Sequence, residues 1–485
     1  MSEPLLSLRT HIEEIEKLGE LRHVRGAHWD LELGAIAEVS YGMAHPPAVL
    51  FDEVTGYRAG LRVLTGSTGS AARLARTLRL GTRPDGAPLD DEGVVDALRA
   101  KPSQWAARAR DFPVLPVGDA PLLANERTGD DVDLLAFPVP RWHSHDGGRF
   151  VGTGCFVVTS DPETGTHNGG CYRMEVQDEG RSTTIAAVPG KHGAQNIAAW
   201  LAKEGRAPVA VSFGHDPLLL VLGGTEVPRG VSELEYAGAV AGERVPVVTM
   251  PDTGLPVPAG AEIAVEGWLT ADDLRDEGPF GEWTGYYSGR RRPCLNLRIT
   301  RLYHRDDPIL LGAPPGKPPH DYSYMRTVMK SAMIHDELVS MGVAGVTKAW
   351  AHESGGGRLF VAVSISQRHP GHARQVAHLA AQCPAAAYMN RYVVVVDDDI
   401  DVADLDQVIW AMSTRSDPAR DIEVMRQGWG SKLDPMLPEG ETAYNSRAII
   451  DATIPWERRE DFPRVAQSDP AELAAVRRRW AAALV

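Results

Sequence analysis

Residues 391–401 read RYVVVVDDDID. Four consecutive valines closed by acids suit a strand covered on both faces, because a half-exposed strand would alternate apolar and polar residues. RLFVAVSI (358–365) reads the same way, and the helical runs PGHARQVAHLAAQ (370–382) and LDQVIWAMSTR (405–415) are interleaved with these strands. Apolar strands alternating with helices predict an open α/β sheet covered on both sides. YMRTVMKSAMIHDELVSMG (324–342) is a long helix leading into it, and DPAELAAVRRRWAAAL (469–484) is a capped helix suited to packing on a second subunit.

Upstream the texture differs. Residues 5–17 have amphipathic helical spacing, PPAVLFDEV (46–54) reads as a strand, and 70–80 and 88–110 read as helices broken by RPDGAP. From about residue 112, short β-rich runs such as GRFVGTGCFVVTSD (148–161), GCYRMEVQD (170–178) and RSTTIAAV (181–188) are separated by Gly, Asp and Asn turns, which predicts a barrel or sandwich. A helix is expected over 194–207 and a strand over 209–214; β texture returns in ERVPVVTM, AEIAVEGWLT and CLNLRITRLYHR.

The 485 residues suffice for two or three domains. A formal net charge of −15 argues against general binding to nucleic acid or anionic membrane. No run approaches the ~18 apolar residues of a spanning helix. The N-terminus carries an early Glu and helix-like spacing instead of a signal peptide's apolar core. Cys155, Cys171, Cys294 and Cys383 form no CxxC pair, which fits a reducing cytoplasm.

RDEGPFGEWTGYYSG (275–289) places Asp276, Glu277 and Glu282 among Phe280, Trp283, Tyr286 and Tyr287. It reads either as a solvated acidic loop or as a carboxylate pair in a partly dry cavity. With an arginine such as Arg173 held by one glutamate, the other glutamate would favour its neutral form and deliver a proton. Asn168, His192 and Glu233, on three separate segments, have donor types that suit a divalent ion shared with a phosphate, although each also reads as a turn, surface or helix-start residue. Asp397, Asp398, Asp399 and Asp401 read as capping and interface acids in preference to a magnesium site. TGSTGSAARLAR (65–76) lacks both the P-loop lysine and the GxGxxG spacing.

In order along the chain, GTHNGGCYRM, PGKHGAQNIA, VSELEYAGAV, DEGPFGEWTGYYS, GKPPHDYSYM, GHARQVAH, VVVVDDDID and VIWAMSTRSDPARD resemble the UbiD family of reversible decarboxylases, over about residues 5–455. The resemblance implies prenylated FMN, an electron sink supplied by a companion flavin prenyltransferase and bound with Mn2+ and often K+. It places Arg173, Glu277 and Glu282 in the catalytic set, and Asn168, His192 and Glu233 at the metal that meets the flavin phosphate. Thr153 and Arg173 fall in cofactor-lining segments. Lys191 stands where relatives often carry Arg or Gln, and Arg391 where a lysine approaches the cofactor. Met325, Arg326, Met436 and Leu437 fall in pocket-lining segments.

The implied fold is a multidomain α+β and α/β chain. It has a cofactor domain with a split β-barrel (1–321), a connecting helix (322–342), an α/β dimerisation domain (343–460) and a helical tail (461–485). A homodimer or an assembly of dimers is expected. The implied reaction is decarboxylation of an acrylic-type or (hetero)aromatic acid. Glu282, not Asp, resembles the acrylic and heteroaromatic branches, and the Ala, Arg and Gly richness suits a secondary-metabolite enzyme acting on a polyketide-derived acid. A plain-flavin oxidoreductase on a split barrel and a catalytically silent flavin-binding scaffold are the other readings; nothing in the chain resembles a nicotinamide fingerprint.

Overall fold

The first helix starts at Leu8 because Ser7 caps it: the Ser7 hydroxyl accepts from the Arg9 N–H at 3.2 Å, and the helix runs to Lys17. In this computed structural model every residue is described except Met1, Ser2, Leu5, Val188, Pro189, Glu226, Arg229 and Val485. Leu5, Val188 and Pro189, which belong to segments read above, thus lie outside the described residues. The strand expected at 46–54 spans Ala48–Thr55 and joins a four-stranded sheet with Leu21–His28, Arg62–Thr65 and Ile309–Leu311. The helix expected over 88–110 is two, Asp91–Leu98 and Lys101–Arg108, because Ala100 between them takes a positive φ of 60°.

The β-rich middle forms one ten-stranded, curled half-barrel sheet. Its organiser is the 13-residue strand Arg292–His304, which pairs antiparallel with Ile263–Thr270, Leu274–Glu277, Ser182–Ile185 and Asn125–Thr128 along its length. Phe150, Val157, Val211, Val265 and Leu297 fill its apolar interior. The helix expected at 194–207 runs from His192 to Glu204; Gly205 ends it in the left-handed region, and the next strand starts at once, Arg206–Phe213.

The C-terminal sheet is mixed. Phe360–Ile365, Tyr392–Asp397 and Tyr444–Asp451 are parallel neighbours, with Val346–Ala351 and Ile422–Trp429 antiparallel at the two edges. Val393–Val396 are fully buried, as the valine run predicts. The acids after it serve the fold: Asp399 makes a fork to Arg415 at 2.6 and 2.8 Å, Asp397 accepts from the Ile454 N–H at 2.6 Å, and Asp401 pairs with Lys348 at 3.1 Å. All four cysteines are free. Among the described residues, no helix is long and apolar enough to cross a membrane.

The long helix Asp321–Ser340 joins the halves. His320 and Ser323 cap it reciprocally, so it starts three residues before the expected Tyr324. Met325, Val328, Met329 and Ala332 belong to an apolar cluster that also holds Leu218 and Val221 on one side and Val394 and Val396 on the other. Asp321, buried in the first turn, accepts from the Gly66 N–H at 2.9 Å, the Thr68 N–H at 3.1 Å and the Tyr41 hydroxyl at 3.2 Å. The Gly/Ser-rich segment that fails as a P-loop is therefore a docking loop for this carboxylate. Asp321→Ala strands those donors and is expected to lower stability by about 1–3 kcal/mol, read as an earlier midpoint in denaturant.

Candidate active site

Arg173 leads into the strand Met174–Gln177, and Glu277 ends the strand Leu274–Glu277 opposite Arg292. Beyond Glu277 the chain leaves the sheet. Phe280 turns inward, buried, and stacks on Phe150 with ring centroids 4.0 Å apart. Glu282 then heads a turn in which its own N–H donates to the Tyr286 carbonyl at 3.0 Å and the Gly285 N–H donates back to the Glu282 carbonyl at 2.9 Å.

This path brings both glutamates onto one guanidinium. Arg173 Nη2 donates to Glu277 Oε2 at 2.7 Å, its Nε lies 2.6 Å from Glu277 Oε1 as an ion-pair contact outside hydrogen-bond geometry, and its Nη1 donates to Glu282 Oε1 at 2.7 Å. Glu277 is fully buried, and Arg173 and Glu282 nearly so. One cation cannot neutralise two carboxylates, so the cluster favours taking up a proton. Burial pushes the Glu282 carboxyl up to about 7, Arg173 opposes the rise and the Glu277 charge adds to it. Burial disfavours the Arg173 charge, but hydrogen bonding to Glu277 and the charges of both glutamates outweigh it and raise its pKa. Cys294, absent from the expected set, lies with its Sγ 3.6 Å from Glu277 Oε2.

A second buried group stands on neighbouring elements. Asn168 Nδ2 donates to Glu233 Oε1 at 2.8 Å, and the Gly169 N–H donates to Glu233 Oε2 at 2.6 Å. Burial holds the Glu233 carboxyl up at about 7. His192 opens the adjacent helix, which has no side-chain cap. A methyl group on Gly193 would lie 3.0 Å from Asn168 Oδ1 and 2.3 Å from the Tyr172 hydroxyl, so the helix start is pressed against this pair. The structure brings Asn168 and Glu233 into contact; His192 stands beside them without a hydrogen bond to either among the described residues. Lys191, exposed, precedes the helix.

Thr153 is buried and tied to the long helix and the segment before it: its Oγ1 accepts from the Ala313 N–H at 3.1 Å, and its carbonyl accepts from the hydroxyl of Tyr322, in the helix's first turn, at 2.7 Å. Arg391 pairs with Asp434 inside the C-terminal half. Met325 is buried. Arg326 is half-buried, lies 5.0 Å over the Trp283 ring and donates to the Gly356 carbonyl at 3.1 Å; burial and the neighbouring Arg358 push it down to about 9. Met436 is 73% exposed, and Leu437 is half-buried. A cavity of about 690 Å³ is lined by Tyr41, Arg73, Asp91, His320, Tyr324 and Glu353 and by none of the Arg173 cluster.

Comparison with known proteins agrees across the chain. The pattern of the 3-octaprenyl-4-hydroxybenzoate carboxy-lyase N-terminal domain matches residues 12–90, that of its Rift-related domain 115–318 and that of its C-terminal domain 323–452. A phenolic acid decarboxylase of Streptomyces sp. (strain D7) is 32% identical over 99% of both chains. The pyrrole-2-carboxylic acid decarboxylase of Pseudomonas aeruginosa is 30% identical over 94% of this chain and 92% of its own. The UbiD-class enzyme HmfF from Pelotomaculum thermopropionicum, solved in complex with FMN, superposes with a TM-score of 0.82 at 26% identity, covering 97% of this chain and 99% of HmfF. An evolved dimeric form of HmfF, solved with prFMN, superposes at 0.79 and 26% identity, over 96% of this chain and 98% of its own. With all three of its domains matched in order, the chain belongs to the UbiD family of carboxy-lyases.

Proposed function

We propose that this protein catalyses the reversible, non-oxidative decarboxylation of an α,β-unsaturated or (hetero)aromatic carboxylic acid with prenylated FMN. The observation that carries this reading is one arginine shared by two glutamates, one of them held near neutral pH. FMN and prFMN in the superposed HmfF structures support the cofactor, and the phenolic and pyrrole acids named for the relatives support the substrate class. A polyketide-derived acid within that class is the finer form of the proposal.

The residues suit a phosphate held through Mn2+. Glu233 is a buried carboxylate whose recorded partners are N–H donors, Asn168 adds an amide oxygen, and His192 opens an uncapped helix next to them. Asn168, His192 and Glu233 would hold the ion, with K+ as an accompanying ion, and Thr153, Lys191, Arg173 and Arg391 would border the cofactor. Prenylated FMN, when bound, supplies the electron sink.

Arg173 receives the substrate carboxylate. Nη1, which now holds Glu282, is the arm free to exchange, because the Nη2 hydrogen bond and the Nε ion-pair contact to Glu277 keep the guanidinium oriented. Released from Arg173, Glu282 loses the interaction that stabilised its charge and remains protonated. It then gives its proton to the carbon that carried carbon dioxide. Met325, Arg326, Met436 and Leu437 are assigned to the substrate side of the pocket. A flavin prenyltransferase supplies the cofactor. A cytoplasmic homodimer is formed through the residue 343–460 domain, an assembly supported by the exposed apolar Val424 and Trp429 on its edge strand and Leu473, Val476 and Trp480 on the terminal helix.

Glu282→Gln keeps shape but carries no transferable proton, so turnover of cofactor-loaded enzyme is expected to fall by about 10²–10⁴-fold. In the parent, kcat/KM is expected to fall as pH rises through about 7, where Glu282 of the free enzyme deprotonates, and this alkaline limb should be lost in the variant. Equal pH profiles would remove Glu282 as the donor. His192→Ala and Glu233→Gln are expected to lose manganese and flavin together, read by elemental analysis and absorbance. Mass spectrometry of the cofactor released after coexpression with a flavin prenyltransferase separates this reading from a plain-flavin oxidoreductase: unmodified FMN, stably bound and reducible by NAD(P)H, would favour the latter.

A further inference from the structure

Glu175 is a buried acid that the mechanism above does not use. It lies two residues after Arg173, and side chains two apart along an extended segment leave the same face. Arg173 grips Glu277, and Glu175 grips the next residue: its Oε2 accepts from the Gly278 N–H at 2.7 Å. The strand ladder ends with Glu277 opposite Arg292, so Gly278 is the first residue beyond it. Glu175 is itself the cross-strand partner of Phe150, the ring on which Phe280 stacks. The Pro279 carbonyl accepts from the Gly147 N–H at 2.8 Å. Residues 277–280 are thus fixed one after another by Arg173, Glu175, Gly147 and Phe150, and Glu282 stands two residues beyond Phe280, just before the buried Trp283.

We propose that Glu175 is a positioning residue for the decarboxylation: its carboxyl oxygen fixes the chain at Gly278 and so sets where the Glu282 carboxyl stands beside Arg173. The assignment rests on Glu282 being the proton donor. The task needs an acceptor oxygen and no charge. Burial fits that requirement, since it pushes the Glu175 carboxyl up to about 7 against the pull of the Gly278 N–H. A glutamine offers the same oxygen.

The test compares Glu175→Met, which fills similar volume without an acceptor, with Glu175→Gln, each cofactor-loaded and with flavin content verified. Misplacing a catalytic group by about 1 Å costs on the order of 10²-fold, so the Met variant is expected to lose about 10- to 100-fold in kcat with KM little changed. The Gln variant is expected to stay close to the parent. In a Glu282→Gln background the Met substitution should cost little more, because the group it positions is already disabled. Hydrogen exchange of peptides covering 274–283, measured without cofactor, should speed up in the Met variant and not in the Gln variant.

A Met variant with parental kcat, or with unchanged exchange despite lost activity, overturns the proposal. So does a Gln variant as impaired as Met, or a full additional loss in the double variant. Should the Met variant fail to fold, the Gln variant decides alone: parental kcat and exchange support the acceptor role, and loss of either overturns it. A parent that decarboxylates no acid would sink the proposed function, yet the exchange comparison would still report whether Glu175 holds the loop.

Discussion

Everything in this site follows from one guanidinium carrying two carboxylates out of water. A buried pair of opposite charges roughly balances its desolvation against its attraction, and removing one partner leaves the other expensively exposed to low dielectric. A third charge breaks that balance. Arg173 with Glu277 is a complete pair, joined by one hydrogen bond and a second close ion-pair contact, so Glu282 is the surplus anion. The cheapest relief is a proton on Glu282, which turns an electrostatic excess into an acid available near neutral pH. On the proposed function, Nη1 is the position that an incoming carboxylate takes over from Glu282.

Such an arrangement persists only if the backbone gives the three side chains no way to separate. The fold supplies this through the strand Arg292–His304. That strand pairs directly with the strand ending at Glu277 and, through Ser182–Ile185, indirectly with the strand that Arg173 precedes. Glu282 has no ladder of its own and is placed by rings. Phe280 is sunk against Phe150 in the half-barrel interior, and Trp283 is buried against Gly356, where any side chain would meet the indole carbons at 2.7 Å. The Tyr286 ring is 61% exposed and only its carbonyl holds the turn, while the Tyr287 hydroxyl donates to Asp146 at 3.1 Å. The mixture of acids and aromatics in one short loop thus divides into anchors that face inward and an acid held between them.

The sequence made much of this legible, and unevenly. The valine run, the helices 405–415 and 370–382 and the β texture after residue 112 follow from periodicity, because each buries a face whose pattern is written locally. Boundaries set by caps moved by a few residues: Ser7, Ala100, Gly205 and the His320–Ser323 pair decide them, and single residues carry no periodic signal. The two antiparallel edges of the C-terminal sheet had no local signature either, since strand direction depends on connections. Within the site, Arg173, Glu277 and Glu282 were reachable through family resemblance; no spacing rule joins residues 173 and 277. Glu175 and Cys294 were missed because their relevance is a cross-strand contact. His192 and Arg391 show the converse: position in a motif named them, while in the structure His192 lies beside the Asn168–Glu233 pair and Arg391 engages Asp434.

The two anchors of Glu282 belong to different parts of the molecule. Phe280 is rooted in the half-barrel, whereas Trp283 packs against Gly356 and under Arg326, on the C-terminal unit and the long helix that carries it. Arg173 and Glu277 are set by the sheet alone. Of the three charged groups, Glu282 is thus the one whose flanking anchors lie on both units. On the proposed function, the proton donor is thereby the group whose neighbours lie on both units. The docking is itself held by a buried polar contact, the Asp321 carboxyl on the Gly66 and Thr68 amides at the start of that same helix. The strength of that contact and the placement of Glu282 are consequently parts of one constraint, transmitted along four residues of chain from a rigid sheet to a helix end.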